Sequence, residues 1–146
     1  MLARLWAGFL LVAALLAACD SAPDDSPDDA VRQRLVGTWL REYEEGGTRV
    51  RRVLVLGQDG SFREASRVVA AGPDTARSHT GAGAWLYDGT NLKRKYSRID
   101  GKALSAPTLP YATFAVSFTS RNEFVGIDHV RGIEVRYERV EDQIEP

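Results

Sequence analysis

The chain has 146 residues, 44% of them hydrophobic and 27% charged, with a formal net charge of −1, which suits one small domain. Its single cysteine excludes an internal disulfide, so an exported domain built from it must hold by its core alone. A near-neutral total without a concentrated basic stripe argues against nucleic acid as a partner.

Met1-Leu2-Ala3-Arg4 opens the chain, and an apolar run follows from Leu5 through Ala18. One positive charge, a hydrophobic middle and small residues at the end make residues 1–18 a secretory signal pattern. At about 1.5 Å per residue the run covers ~21 Å, against ~30 Å of hydrocarbon, so it is too short for a spanning helix. Leu16-Ala17-Ala18-Cys19 resembles the lipobox of bacterial lipoproteins at each position. The resemblance implies cleavage before Cys19, a diacylglyceryl group on its thiol and acylation of its new amine. The expected partner is therefore a membrane, reached through acyl chains on Cys19. Each buried CH₂ contributes ~0.8 kcal/mol, and stable anchoring needs more than one chain. The implied location is the bacterial cell envelope, facing the periplasm. Asp20 resembles the inner-membrane retention signal of enterobacterial lipoproteins, a rule that varies between bacterial groups and leaves inner or outer membrane open.

Residues 19–34 are expected to hold the lipidated cysteine, an acidic tether and a short helical turn. Asp20 through Asp29 contains two prolines, two serines and five aspartates, a composition that extends rather than collapses. A Ca²⁺ loop would need a turn-forming glycine among those carboxylates, and there is none. Residues 30–140 carry eighteen basic against twelve acidic residues, a net of +6, while residues 141–146 form an acidic tail. A mildly basic body serves solubility, or suits anionic surroundings such as phospholipid headgroups and acidic cell-wall polymers.

A helical turn is expected from Ala30 to Leu35, capped by Asp28 or Asp29, with Val31 and Leu35 on one face. The period then changes to two. Strands are expected over Gly37 to Glu44, Arg49 to Leu56, Ser61 to Ala71, Gly83 to Tyr87, Leu92 to Ile99, Tyr111 to Thr119, Glu123 to Asp128 and Ile133 to Val140, with a further short one if Ala103 to Ser105 pairs. Gly46-Gly47, Gly57-Gln58-Asp59-Gly60, Asp88-Gly89-Thr90-Asn91 and Asp100-Gly101 supply the turns. Short links between neighbours imply an all-β antiparallel meander of about eight strands. Without covering helices it must close into an up-and-down barrel or leave exposed edges. A two-sheet sandwich is the alternative, but its crossings need longer links.

Gly37-Thr38-Trp39, just after the helical turn, resembles the Gly-x-Trp signature of lipocalins and the wider calycin group. That resemblance implies that Trp39 plugs one barrel end against an arginine of the last strand, here Arg139. Asp59-Gly60-Ser61-Phe62 resembles a hairpin common in small bacterial lipocalin-like domains. The resemblance spans residues 35–140; the second lipocalin signature, Thr-Asp-x-x-Tyr, is absent.

Parity along the strands groups the candidate site. If Trp39 points inward, so do Arg41 and Tyr43; if Leu92 and Tyr96 do, so does Arg94, and the same parity reaches Arg98. A guanidinium beside a phenol in an aromatic-lined cavity suits a carboxylate, and fatty-acid-binding relatives of lipocalins use that pair type. The expected pocket for a small, hydrophobic, acidic ligand is lined by Trp85, Tyr87, Phe114, Phe118 and Tyr137. Against this, eight strands leave an interior that side chains can fill, with the arginines pairing Glu64 or reaching the rim. His79 and His129 lie in no metal-ligand spacing, and Asp128-His129 face opposite ways, a poor relay. No cofactor, metal or enzymatic activity is expected. The competing function is a protein-interaction module, an envelope assembly factor or hydrolase inhibitor, acting through loops 72–80 and 102–110.

Overall fold

The computed structural model describes residues 26–69, 76–105, 110–141 and 144. The signal segment, Cys19, Asp20 and the early tether lie outside those residues, as do 72–75 and 106–109 of the two interaction loops. Helix α1 (Pro27–Leu35) precedes nine strands: β1 (Gly37–Glu45), β2 (Thr48–Leu56), β3 (Ser61–Val69), β4 (Arg77–Tyr87), β5 (Asn91–Ile99), β6 (Lys102–Ala103), β7 (Tyr111–Ser120), β8 (Glu123–Asp128) and β9 (Ile133–Val140).

Each strand pairs antiparallel with the next, except that β5 pairs with β7 past β6. The ring closes where Trp39 of β1 meets Arg139 of β9 and Leu40 meets Glu138. Eight strands thus form a closed antiparallel barrel, and the two-residue β6 pairs with Arg98 and Ile99 at its rim. Closure removes the exposed edges that an open meander would carry. Gly46 and Gly47 both hold positive φ (57° and 76°), the backbone that a two-residue turn needs to match strand twist.

Alternation sends one residue in two to the interior. Trp39, Leu54, Leu56, Phe62, Trp85, Leu92, Phe114, Phe124, Val135 and Tyr137 meet Leu35 of α1 in one buried cluster. Farther along the same inward faces the residues become polar: Arg41 and Arg52, which are register partners, then Glu64 and Arg94. The barrel is filled with hydrocarbon at the α1 end and charged towards the other.

Four local expectations are corrected. The helix starts earlier, because the Ser26 hydroxyl accepts from Asp29 N–H at 3.1 Å and Pro27, Asp28 and Asp29 occupy the first turn. That removes 27–29 from the acidic spacer. Strand β4 starts at Arg77 rather than Gly83, because pairing with β3 extends it through the polar Arg77-Ser78-His79-Thr80 stretch, which carries no apolar alternation. The short rim strand is Lys102–Ala103 rather than Ala103 to Ser105. Arg98 is exposed: Tyr96 pairs with Gly83 but Arg98 with Ala82, so Ser97 is an extra residue that reverses the parity beyond it.

Candidate functional site

One end of the barrel is plugged. Trp39 is fully buried, donates its indole N–H to the Leu35 carbonyl at 2.7 Å and meets Phe124 edge-on at 4.7 Å. Arg139 lies over the Trp39 ring at 4.3 Å and donates to the carbonyls of Val36 (2.9 Å) and Arg34 (2.5 Å). Helix α1 crosses this end. Its Arg32 bonds the Gln58 carbonyl and lies 5.3 Å over Trp85; its Arg34 bonds the Ser120 carbonyl and lies 3.9 Å over Phe118. Trp85 donates its indole N–H to the Gly57 carbonyl at 2.9 Å, and Tyr87 packs half-buried against the same cluster. Trp85, Tyr87 and Phe118 therefore belong to the packing at the plugged end.

The opposite end opens on a cavity of about 550 Å³, whose walls include Arg41, Arg52, Glu64, Arg94, Tyr96 and Phe114. An adjoining lobe of about 280 Å³ shares Arg52, Glu64, Tyr96 and Ile99 and adds Tyr43 and His79. Nearer the mouth the lining includes Ile99, Pro110, Tyr111, Val130 and Ile133. The structure thus brings Arg41, Arg94, Tyr96 and Phe114 to one cavity and Tyr43 to its side lobe. Tyr137 is buried beneath them in the core, stacked on Phe124 at 5.0 Å.

The charged layer centres on Glu64. Arg94, only 1% exposed, donates from Nη1 to Glu64 Oε2, and the Tyr96 hydroxyl stands 3.4 Å from Oε1. Arg52 Nε is 4.0 Å from Oε1, outside hydrogen-bonding reach. Arg41 faces Arg52 in register and lies 4.0 Å over the Tyr43 ring. Among the described residues, Arg51 Nε, Arg52 Nε, Arg94 Nε and the Tyr137 hydroxyl are buried without a hydrogen-bond partner. Buried polar groups are ordinarily paired, and two of these four atoms, Arg52 Nε and Arg94 Nε, belong to residues that line the cavity.

Burial opposes the charge on Arg52, yet Glu64, Tyr137 and Tyr43 more than offset it and raise its pKa. Arg94 follows the same pattern, with Tyr137 and Glu64 outweighing burial. Burial, reinforced by Glu64 against the opposing arginines, pushes Tyr96 up to about 12. The layer therefore stays cationic at neutral pH, and Tyr96 remains a neutral phenol.

Glu64 is the partner that the sequence offered for the inward arginines, and Arg94 takes it; Arg52 is the cavity residue that sequence reasoning missed. The signal was present in parity: Arg52 alternates with Val50, Leu54 and Leu56, all inward. Elsewhere, His79 Nδ1 stands 3.3 Å from Asp100 at the exposed rim, and His129 is exposed. Among the described residues, no three His, Cys, Asp or Glu side chains converge to hold a metal, and no helix is long and apolar enough to cross a membrane. No protein-family model matches the chain, and no curated protein matches it.

Proposed function

We propose that the chain is a non-enzymatic envelope lipoprotein, moored through acyl chains on Cys19 in the bacterial periplasm. Its lipocalin-like barrel takes a small acidic amphiphile head-first. The observation that carries this reading is the charge layer of the 550 Å³ cavity, where Arg94 and Arg52 both approach Glu64 and Arg41 stands beside them without an ion pair among the described residues. The volume is that of a small-molecule site. Apolar residues line the mouth and the cations lie deeper, which matches an amphiphile whose charged end enters first. The plug of Trp39 and Arg139 supports the lipocalin-like assignment, because it seals the end that the ligand does not use.

Purification of the tagged protein from its native envelope, followed by mass spectrometry of an organic extract, tests the reading. An acidic amphiphile in near-stoichiometric amount is expected, and the Arg41→Gln/Arg52→Gln double variant should deplete it. An extract containing only neutral lipid, or nothing, sinks the proposal. The second reading, a protein-interaction module, is favoured by one feature. Tyr111 (63% exposed) and Val130 (95% exposed) stand at the mouth as apolar groups available to a partner.

A further inference from the structure

The acidic-ligand reading leaves open how much negative charge the head group carries, and the pairing within the cavity decides it. Four arginines line the space (Arg41, Arg52, Arg94, Arg131) against two carboxylates (Glu64, Asp128), a surplus of two positive charges. Both carboxylates already have owners. Glu64 accepts from the fully enclosed Arg94. Asp128 accepts the backbone N–H groups of Val130 and Arg131 at 3.0 Å and lies 3.9 Å from Arg131 Nε.

The two cations from which neither carboxylate accepts a hydrogen bond are Arg41 and Arg52, the latter reaching Glu64 Oε1 only at 4.0 Å. They are direct register partners on the inner face, and such partners hold their Cβ atoms about 4.5–5.5 Å apart. Like charges placed opposite each other in an antiparallel pair repel. Arg41 forms no ion pair among the described residues, and Arg52 keeps an orphaned Nε. A carboxylate would neutralise only one of them. A phosphate monoester carries about −1.5 to −2 charge near neutral pH and three strong acceptor oxygens, enough to meet both guanidinium forks.

We infer that Arg41 and Arg52 form a two-guanidinium clamp for a dianionic head group of the phosphate-monoester class. Arg94 is then a positioning residue whose hydrogen bond occupies Glu64 Oε2 and leaves Arg52 only a 4.0 Å approach to the other oxygen. This inference rests on the reading of the cavity as an acidic-ligand site, and its test separates the two.

Binding of decyl phosphate, decanoate and inorganic phosphate to the purified full chain is measured by calorimetry, with the Arg41→Gln/Arg52→Gln double variant as baseline. At about pH 8 the alkyl phosphate should bind about tenfold tighter than decanoate, the scale of one extra charge-assisted contact. At about pH 5.5 the phosphate carries mostly one charge, its second ionisation lying at about 6, while decanoate stays largely ionised, and the preference should shrink to within about threefold. Arg41→Gln or Arg52→Gln alone should remove the preference while decanoate still binds. The pH comparison needs no variant, so a misfolded substitution does not protect the inference. Equal affinity for decyl phosphate and decanoate at about pH 8 overturns the clamp and leaves the acidic-ligand reading standing. Failure of all three probes to bind overturns both. Inorganic phosphate binding as tightly as the alkyl ester supports the clamp and assigns it to free phosphate rather than to a lipid head.

Discussion

At the scale of single residues, the pair that holds the interior together is Arg94–Glu64. Arg94 is enclosed by Phe114, Phe62 and Tyr96, whose ring centres lie 5.2, 5.7 and 5.8 Å from its guanidinium. An ion so placed is tolerable only with its counter-ion. Glu64→Gln strands a buried cation and should cost about 3–5 kcal/mol in urea denaturation, whereas Glu64→Leu with Arg94→Leu should recover most of that loss. A single variant within about 0.5 kcal/mol of the parent, the range of an ordinary surface substitution, would show that water reaches Arg94. Parity made Arg41, Tyr43, Arg94 and Tyr96 legible, because inward and outward positions alternate strictly along a strand. It offered Glu64 as a partner for the inward arginines, and Arg94 takes it, but it could not show that Arg52 joins them, since that depends on the register across strands.

At the scale of elements, the β4–β5 hairpin illustrates how local chemistry sets register. Asp88 accepts the backbone N–H groups of Thr90 (3.1 Å) and Asn91 (2.7 Å) and pairs with Lys93 Nζ at 2.5 Å. The Lys93 contact, then the Asn91 N–H, hold its carboxyl well below the usual carboxylate range. Because the folded pKa is depressed, the charge contributes fully above the unfolded value of about 3.9 and is lost as pH falls towards the folded one. Asp88→Asn keeps the turn's acceptor and removes only the charge. Its melting temperature should therefore lie below the parent's at about pH 6 and converge with it in strong acid. Thermal unfolding across that pH series checks this, and a gap that persists unchanged into acid contradicts it. The hairpin was readable from Asp88-Gly89-Thr90-Asn91. The bulge at Ser97 was not, because an inserted residue leaves no mark on composition; it appears only when Gly83 is seen against the β5 backbone. An added Cβ there would lie 1.9 Å from the Lys95 carbonyl oxygen.

At the scale of the whole molecule, the plug and the mouth lie at opposite ends, and α1 sits on the plug. Ser26 lies seven positions after Cys19, at most ~25 Å of extended chain. A lipid anchor on Cys19 would hold the plugged end near the bilayer. The cavity mouth, at the far end, would open away from it. Cys19→Ser should abolish incorporation of labelled palmitate and release the protein from sedimented envelopes, with the far-ultraviolet dichroism of the barrel unchanged. A Cys19→Ser product that is still acylated and still sediments would remove the mooring from the proposal.

The sequence by itself determined the meander: strand spacing, turn residues and in/out alternation are local, and together they leave closure as the way to satisfy every edge. It also determined the Trp39 and Arg139 positions at the two ends of the strand series. Only the tertiary structure decided what the interior contains. Whether an inward arginine is neutralised, stacked or left facing a cavity depends on residues far apart in the chain, as Arg94 and Glu64 are. It depends equally on the register that sets Arg41 against Arg52. Charge balance inside a barrel is a property of the closed ring, and no single strand carries it.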